Sequence, residues 1–211
     1  MRIINIHKPK NCTSFDVVRN IKSIFKENKV GHLGTLDPMA TGVLPIFLGK
    51  ATRLIPFFNE SDKTYRAVFK FGESTDSFDA DGSVTNIHDT KNLNSDEIKK
   101  TVQSFHGEQL QEIPAFSAAK FNGIPSYKLA RQGLDIPKKS RSVIFHKLIV
   151  ELVDLPYIQI WVHCSKGTYI RSLANDLGRL LKVGAHLTSL ERLSCGEWFN
   201  TSNSVGIREL E

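Results

Sequence analysis

Residues 31–53 read GHLGTLDPMATGVLPIFLGKATR, a glycine-punctuated loop followed by an apolar run. Pro38 disfavours helical backbone at the residue before it, so Asp37 is expected to be extended. A carboxylate held on a loop between glycines can be presented into a cleft. Asp37 could equally cap local backbone amides in a turn, and the stretch taken by itself leaves both interpretations open.

Apolar periodicity over the rest of the chain predicts a mixture of helices and strands. Lys63–Phe71 alternates between apolar and polar side chains, which is typical of a half-buried strand. Helical spacing over Ser14–Lys26 predicts an amphipathic helix capped by Ser14. Further helices are predicted over 95–105, 126–132 and 168–181, and further strands over 3–7, 142–152, 157–164 and 187–198. Because helices and strands do not alternate regularly, this order favours an α+β fold with a largely antiparallel sheet.

The composition is that of a globular protein. The chain has 211 residues, of which 40% are apolar and 24% charged, and this excludes a disordered, collagen-like or coiled-coil protein. Its apolar runs are far shorter than the ~20 residues that a helix needs to cross a bilayer. Residues 1–10 lack the apolar core of a secretory signal. Three cysteines without a C-x-x-C pair argue against a disulfide scaffold or a zinc site, and they fit a reducing compartment such as the cytoplasm.

Charge is distributed unevenly along the chain. Residues 1–72 hold twelve basic and five acidic side chains, residues 73–112 hold three and nine, and residues 120–147 hold seven and one. The two cationic segments could contact phosphates, where the release of counterions favours binding. The same charges are also compatible with solvated loops, so charge alone leaves a nucleic-acid partner open.

Three further segments carry candidate functional side chains. Tyr65 lies among basic residues in DKTYR and could either stack on a base or face the core. Residues 72–82 contain three aspartates whose spacing does not match an EF-hand loop, so an acidic turn is the better interpretation. In residues 164–178, CSKGTYIRSLANDLG, a strand leads through a glycine turn into a helix. Arg171 on that helix could neutralise a carboxylate or a phosphate, or simply lie on the surface. The histidines show no H-x-x-x-H pair, so the sequence predicts no transition metal.

Five motifs, taken together and in order, resemble those of the TruB family of tRNA pseudouridine synthases. Besides residues 31–53 they are DKTYRA, IPAFSAAKFNGIPSYKLARQG, CSKGTYIRSLANDLG and GAHLTSLERLSCG, and the resemblance covers nearly the whole chain. It implies the pseudouridine synthase fold, in which a mixed, mainly antiparallel central sheet is flanked by helices and bears a catalytic cleft. It also implies one catalytic domain over residues 1–211, with an inserted basic lobe at about 113–147 that grips RNA.

The resemblance further implies an isomerase that converts uridine 55 in the TΨC loop of tRNA into pseudouridine. Such enzymes flip the target base out of the RNA and use neither a cofactor nor a metal. Matching the family's motifs to this sequence assigns catalysis to Asp37, Arg171 and Tyr65. Asp37 is expected to act at the ribose, Arg171 to pair with Asp37, and Tyr65 to stack on the target base.

The same motif matching implies a set of substrate-binding residues. His32 should approach the flipped nucleotide or support the RNA loop, and Leu190 should line the pocket. The full set consists of His32, Tyr65, Tyr169, Leu190, Lys120, Arg131 and Arg141. Phosphate contacts are expected from the basic side chains of the inserted lobe, which are Lys120, Lys128, Arg131, Lys138, Lys139 and Arg141.

Two departures from the family's pattern affect the expected RNA binding. Family members usually continue into a C-terminal PUA domain, whereas this chain stops at Glu211, so tRNA affinity would rest on the catalytic domain alone. The family often has Leu-Arg-Arg where this chain has Leu190-Glu191-Arg192, which puts a phosphate contact there in question. A monomer is expected.

Two other functions remain as alternatives. A tRNA-folding chaperone without catalysis would bind and anneal RNA, but it would have no need of Asp37, Tyr65 and Arg171 together. A metal-dependent nuclease would use the three aspartates of residues 76–81 and would be sensitive to a chelator.

Overall fold

The computed structural model describes residues 1–117, 119–121, 123–134, 137 and 139–210, without the side chains of Lys120, Phe121 and Arg131. The chain forms two compact units. The first unit comprises Met1–Arg66, Val162–Lys166 and Ser189–Glu211, and the second comprises Ala67–Trp161 and Gly167–Thr188. The predicted lobe at about 113–147 falls within the second unit, and the single-domain organisation stays a prediction.

The described residues form strands, α-helices and short 3-10 helices. The strands are β1 (Arg2–Lys8), β2 (Val30–His32), β3 (Thr41–Leu48), β4 (Lys63–Phe71), β5 (Glu73–Thr75), β6 (Val84–Ile87), β7 (Gly107–Glu112), β8 (Lys120–Phe121), β9 (Ile124–Pro125), β10 (Ser140–Asp154), β11 (Tyr157–Cys164), β12 (Ala185–Cys195) and β13 (Phe199–Asn200). The α-helices are α1 (Ser14–Phe25), α2 (Ile55–Phe58), α3 (Ser95–Gln103), α4 (Ser126–Arg131) and α5 (Ile170–Leu180). The 3-10 helices are Gly49–Leu54, Thr201–Asn203 and Ile207–Leu210. Within the described part of the chain, no helix combines the length and apolar character needed to span a membrane.

The N-terminus of α1 corrects one detail of the sequence prediction. Thr13, not Ser14, is the cap: its side chain accepts a hydrogen bond from the backbone N–H of Asp16, and the Asp16 carboxylate accepts one from the N–H of Thr13. The Ser14 hydroxyl bonds instead to the backbone of Leu36. The first turn of α1 is thereby tied to the loop that carries Asp37.

In the first unit the strand order is β1-β3-β12-β4-β11. β3 is buried along nearly its whole length, pairs antiparallel with β1 and β2, and pairs parallel with β12. Gly42 at the start of β3 has a φ of 100°, and a Cβ there would lie 2.3 Å from the backbone oxygen of Arg192. Because no side chain fits at this contact, glycine permits β12 to approach the end of the Asp37 loop.

In the second unit the strand order is β12-β4-β11-β10-β7, and β7 is antiparallel to β10. β5 and β6 form a separate antiparallel pair. α3 is capped by Asn94 and places Ile98 and Val102 in the core. Antiparallel pairing predominates among the pairs described for both units, which confirms the predicted α+β class with a largely antiparallel sheet.

Candidate active site

Asp37 lies on the loop between β2 and β3, and this loop is anchored on both sides of it. On one side, the Ser14 hydroxyl accepts a hydrogen bond from the Leu36 N–H at 2.9 Å and donates one to the Leu36 carbonyl at 3.1 Å. On the other side, the Pro38 carbonyl accepts from the backbone N–H of Asn11 at 2.9 Å. Asp37 itself is half-buried. Its position is therefore set by backbone contacts of its neighbours, as a residue presented to a substrate requires.

Three cations are buried in the first unit close to this loop: Lys8, Lys63 and Arg192. The Lys8 ammonium donates to the carbonyls of Pro9, Cys12 and Pro38 at 2.9, 2.7 and 3.3 Å. Burial lowers the pKa of Lys8, and the Cys12 and Asp37 side chains oppose that shift. Burial likewise lowers the pKa of Lys63. Through its bond to the Pro38 carbonyl, Lys8 adds a further contact that holds the Asp37 loop.

Arg192 bonds to backbone carbonyls on both sides of Asp37 in the chain. Its side chain and backbone together are only 1% exposed. Nε donates to the Val43 carbonyl at 2.7 Å, and Nη2 donates to the carbonyls of Gly34 at 3.0 Å and Leu33 at 3.4 Å. The guanidinium also opposes the rise that burial causes in the pKa of Tyr65. Arg192 therefore bonds to the start of the Asp37 loop and to β3 just after the end of the loop.

Tyr65 and Leu190 are both buried in the first unit. On β12, Leu190 and Arg192 share the buried face and Glu191 between them is half-buried, which is the two-residue repeat of a strand. Burial raises the pKa of Tyr65, so its phenol is neutral at physiological pH. The first unit thus contains the Asp37 loop, a neutral aromatic residue and a buried apolar side chain.

His32 ends β2, immediately before the Asp37 loop. It is half-buried, and within the described part of the chain its Nδ1 atom is buried without a hydrogen-bond partner. Burial lowers the pKa of His32, and the nearby Arg192 guanidinium lowers it further. The imidazole is therefore neutral at pH 7.

The lowered pKa of His32 predicts a pH dependence of stability. Folded His32 binds a proton less readily than unfolded His32, whose pKa is 6.5, so acidification below that value favours unfolding. Well above pH 6.5 the residue is neutral in both states, and the dependence vanishes. We expect the urea midpoint of the wild type to fall more than that of His32→Gln between about pH 7.5 and about pH 5.5. Equal falls in the two proteins would contradict the assignment.

In the second unit, Arg171 and Asp79 form a buried ion pair. Arg171 Nη1 lies 3.2 Å from Asp79 Oδ2, and the two side chains are 5% and 7% exposed. Arg171 also donates to the carbonyls of Ser77 at 3.3 Å and Phe116 at 3.0 Å. Asp79 Oδ1 accepts from the Ser77 hydroxyl at 2.5 Å and from the Asp81 N–H at 3.1 Å. Arg171 is therefore a fixed, buried cation rather than a surface arginine.

Tyr169 precedes α5 and is half-buried. Its backbone is held by the buried side chain of Gln111: the Gln111 Oε1 accepts from the Tyr169 N–H at 2.7 Å, and Nε2 donates to the Tyr169 carbonyl at 2.9 Å. Gln111 lies on β7, so this pair of bonds fixes the start of α5 against the sheet of the second unit.

The predicted phosphate contacts belong to the second unit. Arg141 is exposed, and its Nη1 donates to the Gly167 carbonyl at 3.4 Å. Lys128 lies on α4. The side chains of Lys120 and Arg131, and the whole of Lys138, lie outside the described residues. Their predicted roles stay predictions.

The sequence analysis assigned no positioning role to Asp79 and Gln111 in the second unit or to Arg192 in the first. Asp79 was assigned to an acidic turn, and no local pattern marks its pairing with Arg171. For Arg192 a signal did exist, since it follows Leu190 by two residues on a predicted strand and shares its face. The predicted pairing of Arg171 with Asp37 would join a residue of each unit and stays a prediction, as do the catalytic and binding roles.

The family model described as "TruB family pseudouridylate synthase (N terminal domain)" matches residues 22–170. The chain belongs to the TruB family. The TruB-family relatives that it matches include tRNA pseudouridine synthase B of Clostridium acetobutylicum, 46% identical over 208 residues that cover 99% of this chain and 71% of the relative. Another is tRNA pseudouridine synthase B of Geobacter sulfurreducens, 43% identical over 208 residues, 99% of this chain and 68% of the relative.

Solved structures share the fold of this TruB-family chain. A chain in the crystal structure of a Cbf5-Nop10-Gar1 complex is 29% identical with a TM-score of 0.77, covering 98% of this chain and 52% of that one. A chain in the archaeal box H/ACA sRNP Nop10-Cbf5 complex is 27% identical with a TM-score of 0.73, covering 99% and 52%. This chain therefore spans about half the length of those chains. The family match and these neighbours confirm the predicted pseudouridine synthase fold.

Proposed function

We propose that this TruB-family chain is a tRNA pseudouridine synthase, an isomerase that converts uridine 55 of the TΨC loop into pseudouridine. The observation that carries the proposal is its identity of 43–46%, over 99% of its length, to relatives named tRNA pseudouridine synthase B. The anchored loop that holds Asp37 half-buried beside buried cations supports it from the geometry.

The proposed reaction exchanges one bond of the nucleoside for another. The bond from C1′ to N1 breaks, a bond from C1′ to C5 forms, and N1 gains a proton while C5 loses one. Atoms and electrons balance within the nucleotide, so the reaction requires no oxidant or reductant. Asp37 either adds to the ribose as a nucleophile or removes a proton from C2′, and both routes require its carboxylate to be ionised.

The residues proposed to surround Asp37 suit a base that has been flipped out of the RNA. Flipping the base out of the RNA costs a few kcal/mol, and stacking on an aromatic ring returns ~1–3 kcal/mol. Tyr65 supplies the ring, Leu190 an apolar wall and His32 a nitrogen able to hydrogen-bond the nucleotide. Arg171 is proposed to face Asp37 and to hold its charge, and Tyr169 to contact the substrate.

RNA is the proposed partner, through the TΨC stem-loop. The exposed Arg141 and the other cations of the predicted lobe, Lys120, Lys128, Arg131, Lys138 and Lys139, are the proposed phosphate contacts. Free cysteines are compatible with a reducing compartment, and we place the activity in the cytoplasm, on the monomeric protein. Neither a metal nor a cofactor has a part in the proposed reaction.

The direct test is modification of an unmodified tRNA transcript by the purified chain alone, followed by chemical mapping of pseudouridine. We expect pseudouridine at position 55, and none in a transcript that carries cytidine there. A protein that anneals tRNA without modifying it would support the chaperone alternative. Strand cleavage abolished by EDTA would support the nuclease.

A further inference from the structure

We propose that Arg192 is a positioning residue that clamps the Asp37 loop by binding the backbone on both sides of Asp37. The proposal rests on the function proposed above and deepens it. It assigns a role to a residue in the segment Leu190-Glu191-Arg192, where the sequence raised only the question of a phosphate contact.

The contacts of Arg192 fall on both sides of Asp37 in the chain. Nη2 reaches the carbonyls of Leu33 and Gly34 before the loop's aspartate, and Nε reaches the carbonyl of Val43 after it. One rigid guanidinium therefore spans the loop at its base. Because the guanidinium is planar and its donors keep a fixed geometry, these bonds define the separation of the two loop ends.

Gly34 in the loop and Gly42 at the start of β3 allow this close approach. A Cβ on Gly34 would lie 3.2 Å from Arg192 Nη1, and one on Gly42 would lie 2.3 Å from the Arg192 backbone oxygen. Both have positive φ, 73° and 100°, which glycine adopts without strain. The loop is thus packed directly on Arg192, without an intervening side chain at either position.

The side chain of Arg192 is placed for this role and not for contact with RNA. It is 1% exposed, and its described hydrogen bonds go to backbone carbonyls. A phosphate could reach it only if these bonds opened.

The test compares Arg192→Met and Arg192→Lys with Val17→Ala, which removes buried methyl groups from the same unit without removing a loop hydrogen bond. We expect Arg192→Met to lower kcat about 10²-fold on tRNA, because small displacements of a positioned group have effects of this size. KM for tRNA should stay within about threefold of the wild type. Arg192→Lys keeps the charge and part of the hydrogen bonding, so its kcat should lie between that of Arg192→Met and that of the wild type.

A second readout is independent of activity. Amide hydrogen exchange of residues 34–42 should accelerate in both Arg192 variants and stay at the wild-type rate in Val17→Ala. If Arg192→Met does not fold, Arg192→Lys carries both measurements. Unchanged exchange in the loop, or a raised KM with an unchanged kcat, would overturn the clamp. A wild type that does not modify tRNA would refute the proposed function, while the exchange rates would still decide whether Arg192 holds the loop.

Discussion

Asp37→Asn is expected to lower the rate of pseudouridine formation by about 10³-fold, the scale set by removal of a positioned reacting group. Asparagine has nearly the same shape, but it cannot act as a nucleophile or accept a proton at neutral pH. The loop should keep its position, because the bonds that anchor it do not involve the Asp37 carboxylate. They join the Ser14 hydroxyl to the Leu36 backbone and the Asn11 N–H to the Pro38 carbonyl. Single-turnover kinetics with saturating enzyme would measure the chemical step directly.

The affinity of Asp37→Asn for tRNA should be unchanged or slightly higher, because the substitution removes a negative charge near a polyanion. Glu197→Gln is a matched control, since it neutralises an exposed carboxylate in the same unit. Its rate should equal that of the wild type. If Asp37→Asn still forms pseudouridine at the wild-type rate, the assigned mechanism is refuted, although the chain still belongs to the TruB family.

Asp79→Ala is expected to lower the free energy of unfolding by about 3–5 kcal/mol, because it removes the Asp79 carboxylate from a buried ion pair with Arg171. The hydrogen bonds of Arg171 to the carbonyls of Ser77 and Phe116 do not replace the lost charge interaction. The Ser77 hydroxyl and the Asp81 N–H would also lose the Asp79 carboxylate as an acceptor. Urea unfolding at neutral pH would measure the loss.

Asp81→Ala is the matched control for this stability measurement. Asp81 lies in the same turn, two residues after Asp79, but it is exposed. Its loss should change the free energy of unfolding by no more than about 0.5 kcal/mol. Equal losses in the two variants would show that the turn as a whole, and not the ion pair, stabilises the second unit.

Local patterns in the sequence predicted the longer half-buried strands but not β2, β3, β5, β6 or β7. The bounds of β4 and β11 match the predicted strands residue for residue, because alternation of apolar and polar side chains records directly which face is buried. The cap of α1 was misplaced by one residue, since Thr13 and Ser14 are both good caps and only the structure shows which one bonds to Asp16. The loop of Asp37 was predicted from Pro38 and the flanking glycines.

By itself, the sequence determined the fold class, the family and the loop that presents Asp37, because periodicity and the order of motifs are properties of the chain alone. Only the tertiary structure decided which buried charges meet. Arg171 and Asp79 are 92 positions apart, and Arg192 lies 158 and 159 positions from the carbonyls of Gly34 and Leu33. A hydrogen bond between such distant groups leaves no period in the sequence. Such a hydrogen bond forms only once the strands have paired and water has been excluded from the two groups.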